Sequence, residues 1–170
     1  MRGKILLVAA LTGATFAFAF APNAQAHGDM VTMKESYTPG TIVVRTNERL
    51  LYYIVRFGQA IRYPVGVGRA GKQWSGESYI NAKYIRPDWS PPAVVRHDHP
   101  NLPKVVKGGS PANPMGAAAM SLAGGEYAIH GTNQPSSIGH FVSYGCIRMF
   151  NEDIKDLYSR VMVGTPVVVQ

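Results

Sequence analysis

The chain has 170 residues, which is enough for one domain behind a short leader. It carries 17 basic and 10 acidic side chains, a net charge of +7, and a single cysteine. The basic residues form no Lys/Arg cluster, which argues against nucleic-acid binding. One cysteine cannot make an internal disulfide, so a small scaffold held together by disulfides is excluded as well.

The first 26 residues have the pattern of a secretory signal peptide. Two basic residues precede an apolar run from Ile5 to Phe20, and Ala24-Gln25-Ala26 supplies the small residues that a signal peptidase requires. A membrane anchor is the alternative, but the run is somewhat short for a span of about 20 residues. We therefore expect cleavage before His27 and an exported, periplasmic domain over residues 27–170 with a net charge of +5.

Strand-like segments dominate the first half of this domain. Thr41–Arg45, Leu50–Arg56 and Ala60–Val65 are rich in β-branched and aromatic residues, and the last two predict a hairpin. From Gly66 to Pro114 the chain is rich in glycine and proline, which predicts long surface loops around one or two short strands near Tyr79–Tyr84.

Side chains in these loops have two possible roles. Trp74 and Trp89 either pack locally and hold the loops down, or form a lid that keeps water out of a cleft. His97-Asp98-His99 suggests a metal site, but the signal is weak, because a zinc site needs three or four converging ligands. We therefore predict no metal.

One helix is predicted, in the C-terminal half. Asn151 is expected to cap it, apolar residues at helical spacing run from Ile154 to Val161, and Gly164 is expected to end it. Before this helix, Glu126–His130 predicts a short strand that ends at the histidine. After it, Pro166–Val169 predicts a buried last strand. The elements together predict a mainly β fold.

The only cysteine, Cys146, lies sixteen residues after His130, follows Gly145, and has Arg148 two places on. A thiolate is the reactive form of cysteine, and an imidazole partner can take the thiol proton. A preceding glycine lets backbone N–H groups turn toward a developing oxyanion. These residue types in this order indicate a nucleophile site rather than a buried, inert thiol.

These segments resemble the L,D-transpeptidase catalytic domain, the YkuD family of cell-wall enzymes. The resemblance rests on the H-G-T at His130 and the S-x-G-C-[IV]-R pattern over residues 143–148. It extends to Tyr63-Pro-Val-Gly-Val-Gly68, Asn113-Pro-Met-Gly116 and Trp89-Ser-Pro-Pro92. It covers roughly residues 37–170, nearly all of the exported domain, and is closest to an exported proteobacterial subgroup.

The resemblance implies a β-sandwich-like domain whose cleft holds a Cys–His pair, with no cofactor. Family members act on the stem peptides of peptidoglycan. The thiolate attacks the carbonyl of an L-centre, D-Ala leaves, and an amine takes the acyl group from the thioester. The amine could belong to another stem peptide, a lipoprotein or an outer-membrane protein, and water in its place gives a carboxypeptidase.

The resemblance also implies a role for each motif residue. Cys146 matches the nucleophile and His130 the general base. The oxyanion and substrate site is then expected to comprise Gly131, Thr132, Ser143, Tyr144, Gly145 and Arg148. Arg148 could instead be structural, through an ion pair with Asp153 or Asp156, and Ser143 is expected to be mainly a hydrogen-bonding residue of the loop.

The sequence departs from the family pattern at two places. Tyr144 stands where many members carry a second histidine, and Trp74-Ser75-Gly76 replaces the usual T-P-x-G turn. Three alternative functions stay open: a plain hydrolase, a non-catalytic wall-binding module and a sortase-like transpeptidase. The short His–Cys interval disfavours the last of these.

Overall fold

The computed structural model describes residues 28–125 and 127–170, and within these ranges strands predominate over helices. The segment predicted as a signal peptide lies outside them. The strands, in chain order, are β1 (Asp29–Thr32), β2 (Ile42–Arg45), β3 (Leu50–Arg56), β4 (Gln59–Pro64), β5 (Val67–Gly68), β6 (Gly76–Ile85), β7 (Ala118–Leu122), β8 (Ala128–His130), β9 (Phe141–Ser143), β10 (Ile147–Arg148) and β11 (Pro166–Val169). The helices are α1 (Ala93–Asp98), a 3₁₀ turn at Pro135–Ser137, and α2 (Asn151–Arg160).

Nine of these strands form one sheet in the order β1-β4-β3-β2-β11-β6-β7-β8-β10, and β5 pairs with β9 separately. The long strand β6 joins the two halves of the sheet: residues 76–79 pair with β11, and residues 80–85 pair with β7. The register shifts between Ile80 and Ala82, where the partner changes. Buried side chains of both halves pack in the main core with Ile154 and Leu157 of α2, and a second, smaller cluster lies around Val43 and Ile54. The mainly β, sandwich-like prediction is confirmed.

The predicted strands of the first half and the last strand are present with shifts of one residue or none, and β6 is longer than predicted. Five strands were not predicted: β1, β5, β7, β9 and β10. β1 is short and mostly exposed, and it forms one edge of the sheet by pairing with β4. β7 reads Ala-Ala-Met-Ser-Leu, which has little β-branched character, and lies between two partners that stabilise it as a strand.

The prediction that residues 66–114 form only loops and short strands was wrong at α1. This helix has six residues with one buried side chain, too few for a periodic apolar pattern. The surrounding segment is fastened by Asn113, which is 2% exposed. Its side-chain amide donates to the carbonyls of Pro87, Val106 and Lys107, and its Oδ1 accepts from the Met115 amide at 2.9 Å.

The prediction that Asn151 caps α2 was also wrong. Phe150 is the N-cap residue, and no side chain caps this end. Asn151 Oδ1 instead accepts from the backbone amides of Ala117 (3.0 Å) and Thr132 (3.1 Å), while its Nδ2 donates to the Thr132 carbonyl. The helix ends at Arg160, before Gly164. One polar side chain therefore joins the start of α2 to the segment before β7 and the segment after β8.

The Asn151 contacts hold the two residues after His130 in place. A Cβ atom at Gly131 would lie 2.3 Å from Asn151 Oδ1 and 2.9 Å from the Ala117 amide nitrogen, so only glycine fits. His130 is the last residue of β8 and directly precedes Gly131. The position of its ring thus depends on a backbone segment that cannot move without breaking these hydrogen bonds.

We predict that Asn151→Ala destabilises the domain by about 1–3 kcal/mol, because two backbone N–H groups lose their acceptor. Urea unfolding of the variant against Asn81→Ala, an exposed asparagine of β6, measures this. Equal unfolding midpoints for the two variants would contradict the proposed role of Asn151.

Candidate active site

Parallel pairing of β8 with β10 brings the predicted catalytic residues together. Ile147 lies opposite Ile129, and Arg148 lies opposite His130. The two isoleucines are buried in the core, and because side chains alternate along a strand, His130 and Arg148 lie on the other face. Cys146 directly precedes β10, two residues before Arg148, and all three line one cavity of about 390 Å³.

The cavity has one wall from the catalytic strands and another from the Gly/Pro-rich segment. Cys146 is half-buried at this surface, so its sulfur is not sealed in the core. Sequence reasoning missed most of the second wall, since its side chains come from positions with no periodic pattern. The other lining residues are Lys72, Trp89, Pro92, Val94, Val95, Pro114, Met115, Gly124, Gly125, Tyr127, Ser143 and Tyr144.

His130 is buried and held in one orientation. Its Nδ1 donates to the Gly131 carbonyl at 2.6 Å, so the neutral ring keeps its proton on Nδ1 and leaves Nε2 as the basic nitrogen. Burial, followed by the positive charge of Arg148, lowers the pKa of His130 from 6.5 to about 4, against the opposing effect of the Gly131 and Pro114 carbonyls. The ring is therefore neutral at pH 7 and able to accept a proton.

Arg148 makes neither of the two ion pairs considered from the sequence. Asp156 bonds to Arg160 at 2.8 Å. The buried Asp153 has no hydrogen-bond partner among the described residues, and burial raises its pKa to about 7. Arg148 is half-buried, which lowers its pKa, and its electrostatic interaction with Cys146 opposes that effect. A positive charge beside a cysteine favours the thiolate, so Arg148 is placed to stabilise an ionised nucleophile.

The loop before the nucleophile is held by Ser143, which is 1% exposed. Its Oγ donates to the Cys146 carbonyl at 2.6 Å and accepts from the Gly145 amide at 3.1 Å. Gly145 has φ +122°, a conformation that favours glycine. The Gly145 amide is thus engaged inside the loop.

Tyr144 fastens the catalytic loop to α1. Its hydroxyl donates to Asp98 Oδ2 at 2.6 Å, and Arg69 donates to the same oxygen at 2.8 Å. The Arg69 guanidinium also lies 4.1 Å from the centre of the Tyr144 ring. Because α1 contributes Val94 and Val95 to the cavity wall, the tyrosine ties the two walls together. The sequence singled out Tyr144 as a departure but gave no sign of its partners.

The remaining candidates lie outside the cavity. Gly131 supplies the carbonyl that orients His130, and Thr132 is buried in the Asn151 network. His140, which lies between the motif halves, is exposed. His97 bonds to Asp98 at 3.1 Å on the outer side of α1.

Residues 39–169 match the family model of the YkuD L,D-transpeptidase catalytic domain. The chain belongs to this family. It is 40% identical over 136 residues to the probable L,D-transpeptidase YbiS of Escherichia coli, an alignment that covers 75% of this chain and 43% of YbiS. The putative L,D-transpeptidase YkuD of Bacillus licheniformis is 36% identical over 129 residues, which is 76% of this chain and 64% of that protein.

Solved structures of L,D-transpeptidases share the fold. L,D-transpeptidase 3 of Mycobacterium tuberculosis aligns with a TM-score of 0.58 at 17% identity, covering 76% of this chain and 60% of that one. The catalytic domain of the Enterococcus faecium L,D-transpeptidase, solved acylated by ertapenem, aligns with a TM-score of 0.57 at 20% identity. The alignment covers 76% of this chain and 95% of that one.

The chain spans less than two thirds of the length of these two relatives, 43% of YbiS and 64% of YkuD. Within residues 28–125 and 127–170, none of the helices has the length and apolar character needed to cross a bilayer.

We predict that Arg148→Gln raises the pKa of His130 above its value of about 4, because the variant removes the positive charge that opposes ring protonation. An NMR titration of the His130 ring from pH 3 to pH 7 measures the shift, with Arg56→Gln, an exposed arginine, as control. An unchanged titration in Arg148→Gln would contradict the electrostatic assignment.

The same pKa has a consequence for stability. Because His130 titrates at about 4 in the folded chain and near 6.5 when unfolded, the unfolded chain binds more protons between these values. This histidine's contribution to the free energy of unfolding therefore falls as pH falls from about 6.5 to about 4. Arg148→Gln should make that loss smaller.

We predict that Tyr144→Phe speeds amide hydrogen exchange in α1 several-fold, because the bond from the tyrosine hydroxyl to Asp98 is lost. Exchange of the His99 amide, which donates to the Val95 carbonyl at 2.8 Å, is the direct readout. The midpoint of global unfolding should stay unchanged. If the amides of α1 in Tyr144→Phe exchanged at the wild-type rate, the tyrosine hydroxyl would not be what holds the helix.

Proposed function

We propose that this protein is an exported peptidoglycan L,D-transpeptidase with a cysteine acyl-enzyme mechanism. The observation that carries the proposal is that Cys146 lines one cavity with His130 and Arg148, which lie on adjacent parallel strands. The signal-like pattern of residues 1–26 supports export to the periplasm. The names of the relatives support the reaction class, since each is described as an L,D-transpeptidase.

In the proposed first step, Nε2 of His130 takes the proton of the Cys146 thiol while Arg148 stabilises the thiolate. The sulfur attacks the carbonyl carbon of the L-centre in a tetrapeptide stem, and the carbonyl electron pair moves to oxygen. Collapse of this intermediate re-forms the carbonyl and expels the D-Ala amine, which takes the proton from His130. The acyl group is left on sulfur as a thioester.

In the second step an amine attacks the thioester and Cys146 leaves as thiolate. A neutral His130 suits this step, because an acceptor amine must lose a proton as the new amide forms. An amine of a second stem peptide gives a cross-link, a protein amine gives an attached lipoprotein or outer-membrane protein, and water gives carboxypeptidase activity.

The charge of the cavity fits such a substrate. Lys72 and Arg148 both line it, while no aspartate or glutamate is among the described residues that do. A tetrapeptide stem carries a free carboxylate on the D-Ala next to the bond that breaks. Two cations near the nucleophile are suited to hold that group, and the apolar side chains of Val94 and Met115 limit access of water.

We predict that Cys146→Ala and Cys146→Ser abolish transfer on a disaccharide-tetrapeptide without changing the fold. His130→Ala should lower kcat by at least ~10²-fold, which is the usual effect of losing a general base. His140→Ala is the matched control, because it removes an exposed histidine of the same segment. Circular dichroism and the unfolding midpoint check that each variant is folded.

The products separate the alternatives. Mass spectrometry that finds a cross-linked dimer and free D-Ala supports the transpeptidase, whereas trimmed monomer alone identifies a carboxypeptidase. Full activity in Cys146→Ala would contradict the mechanism. Binding of peptidoglycan by wild-type protein with no covalent product at all would identify a wall-binding module.

A further inference from the structure

The peptide bond between Gly145 and Cys146 is held by a residue outside the cavity. Trp74 Nε1 donates to the Gly145 carbonyl at 2.9 Å. This carbonyl and the amide N–H of the nucleophile belong to the same peptide unit. Trp74 belongs to Trp74-Ser75-Gly76, the segment that replaces the family's usual T-P-x-G turn.

Trp74 is itself fixed by a stack on Tyr127. The ring centres lie 5.0 Å apart with an interplanar angle of 10°, and both rings pack against the main core. The Tyr127 ring also packs directly against Gly145. A Cβ atom at this position would lie 2.2 Å from the ring carbon Cε1 and would clash with it. The indole N–H and the tyrosine ring therefore confine Gly145 from two directions.

The planarity of the peptide unit turns this contact into a constraint on the nucleophile. In a trans peptide the C=O and N–H bonds point in opposite directions, and the described residues contain no cis peptide. Because the Gly145 carbonyl points to Trp74, the Cys146 N–H points away from it. Cys146 lines the cavity and Trp74 does not, so an N–H that points away from Trp74 is able to face the cavity.

We propose that Trp74 is a positioning residue, which orients the Gly145–Cys146 peptide so that the Cys146 N–H faces the oxyanion of the tetrahedral intermediate. The inference deepens the proposed function, since it concerns the same acyl transfer. When the thiolate adds to a carbonyl, the electron pair of the C=O bond moves to oxygen. A pre-oriented N–H stabilises that charge at no cost of reorganisation.

The alternative roles of Trp74 make different predictions. A lid residue would line the cavity, which Trp74 does not. A residue that only packs would affect the loop as a whole, and with it every reaction of the thiol. In the proposed role, Trp74 sets only the orientation of the Cys146 N–H. Its loss should therefore slow acyl transfer and leave unchanged the reactions of the thiol that form no oxyanion.

The test compares two reactions of Cys146 in the full chain. In acylation by p-nitrophenyl acetate, sulfur adds to the carbonyl, an oxyanion forms, and p-nitrophenolate leaves. In alkylation by iodoacetamide, sulfur displaces iodide in one step and no oxyanion forms. The variants are Trp74→Phe and a chain carrying 3-benzothienylalanine at position 74, which keeps a two-ring side chain but lacks the N–H.

Tyr53→Phe is the matched control. It removes a side-chain donor to a backbone carbonyl, that of Arg160 at 3.2 Å, from an aromatic residue that also packs on the core. We expect both Trp74 variants to acylate at least ~10-fold more slowly, since loss of an oxyanion donor outright costs ~10²–10³-fold. Alkylation should stay within about 2-fold of wild type, and the control should match wild type in both reactions.

Acylation at the wild-type rate in both Trp74 variants would overturn the inference, and so would an equal loss in acylation and alkylation. Neither probe is a cell-wall substrate, so the comparison is informative even if the protein fails to act on stem peptides. With an active wild type, the variants should also lower kcat on the tetrapeptide and leave KM close to its wild-type value.

Discussion

The site depends on the parallel pairing of two very short strands, β8 and β10. With Ile129 and Ile147 buried in the core, the pairing leaves His130 and Arg148 side by side at the cavity. Strands of three and two residues have little stability of their own. The buried isoleucines, together with the hydrogen bonds of Asn151 beside them, hold the register that the chemistry needs.

The electrostatics of the site follow from this arrangement. Burial and a neighbouring guanidinium keep His130 neutral at pH 7, so it is a proton acceptor rather than a fixed imidazolium partner. In the proposed mechanism, the positive charge that stabilises the Cys146 thiolate comes from Arg148, because a guanidinium keeps its charge at any pH the enzyme meets. Because Arg148 supplies the charge, the imidazole of His130 is available to transfer protons in both steps of the proposed mechanism.

Much of this could be predicted from local sequence. The β-branched runs predicted the first hairpin and the last strand. Of the motif residues, His130, Cys146 and Arg148 line the cavity together with Ser143 and Tyr144, whereas Gly131, Thr132 and Gly145 do not. Contacts between distant segments could not be predicted. Asn151 resembled a helix cap because its type and place fit one, but its side chain bonds to loops that only the fold brings near. The partners of Tyr144 and Trp74 lie 46 and 71 residues away along the chain, beyond any local pattern.

The most direct test of the central claim is the intact mass of the protein after brief incubation with a tetrapeptide stem, followed by peptide mapping. The account predicts a new species heavier by the stem without its terminal D-Ala, carried on Cys146 as a thioester that hydroxylamine removes. The absence of any adduct while product accumulates, or an adduct on another residue, would contradict it.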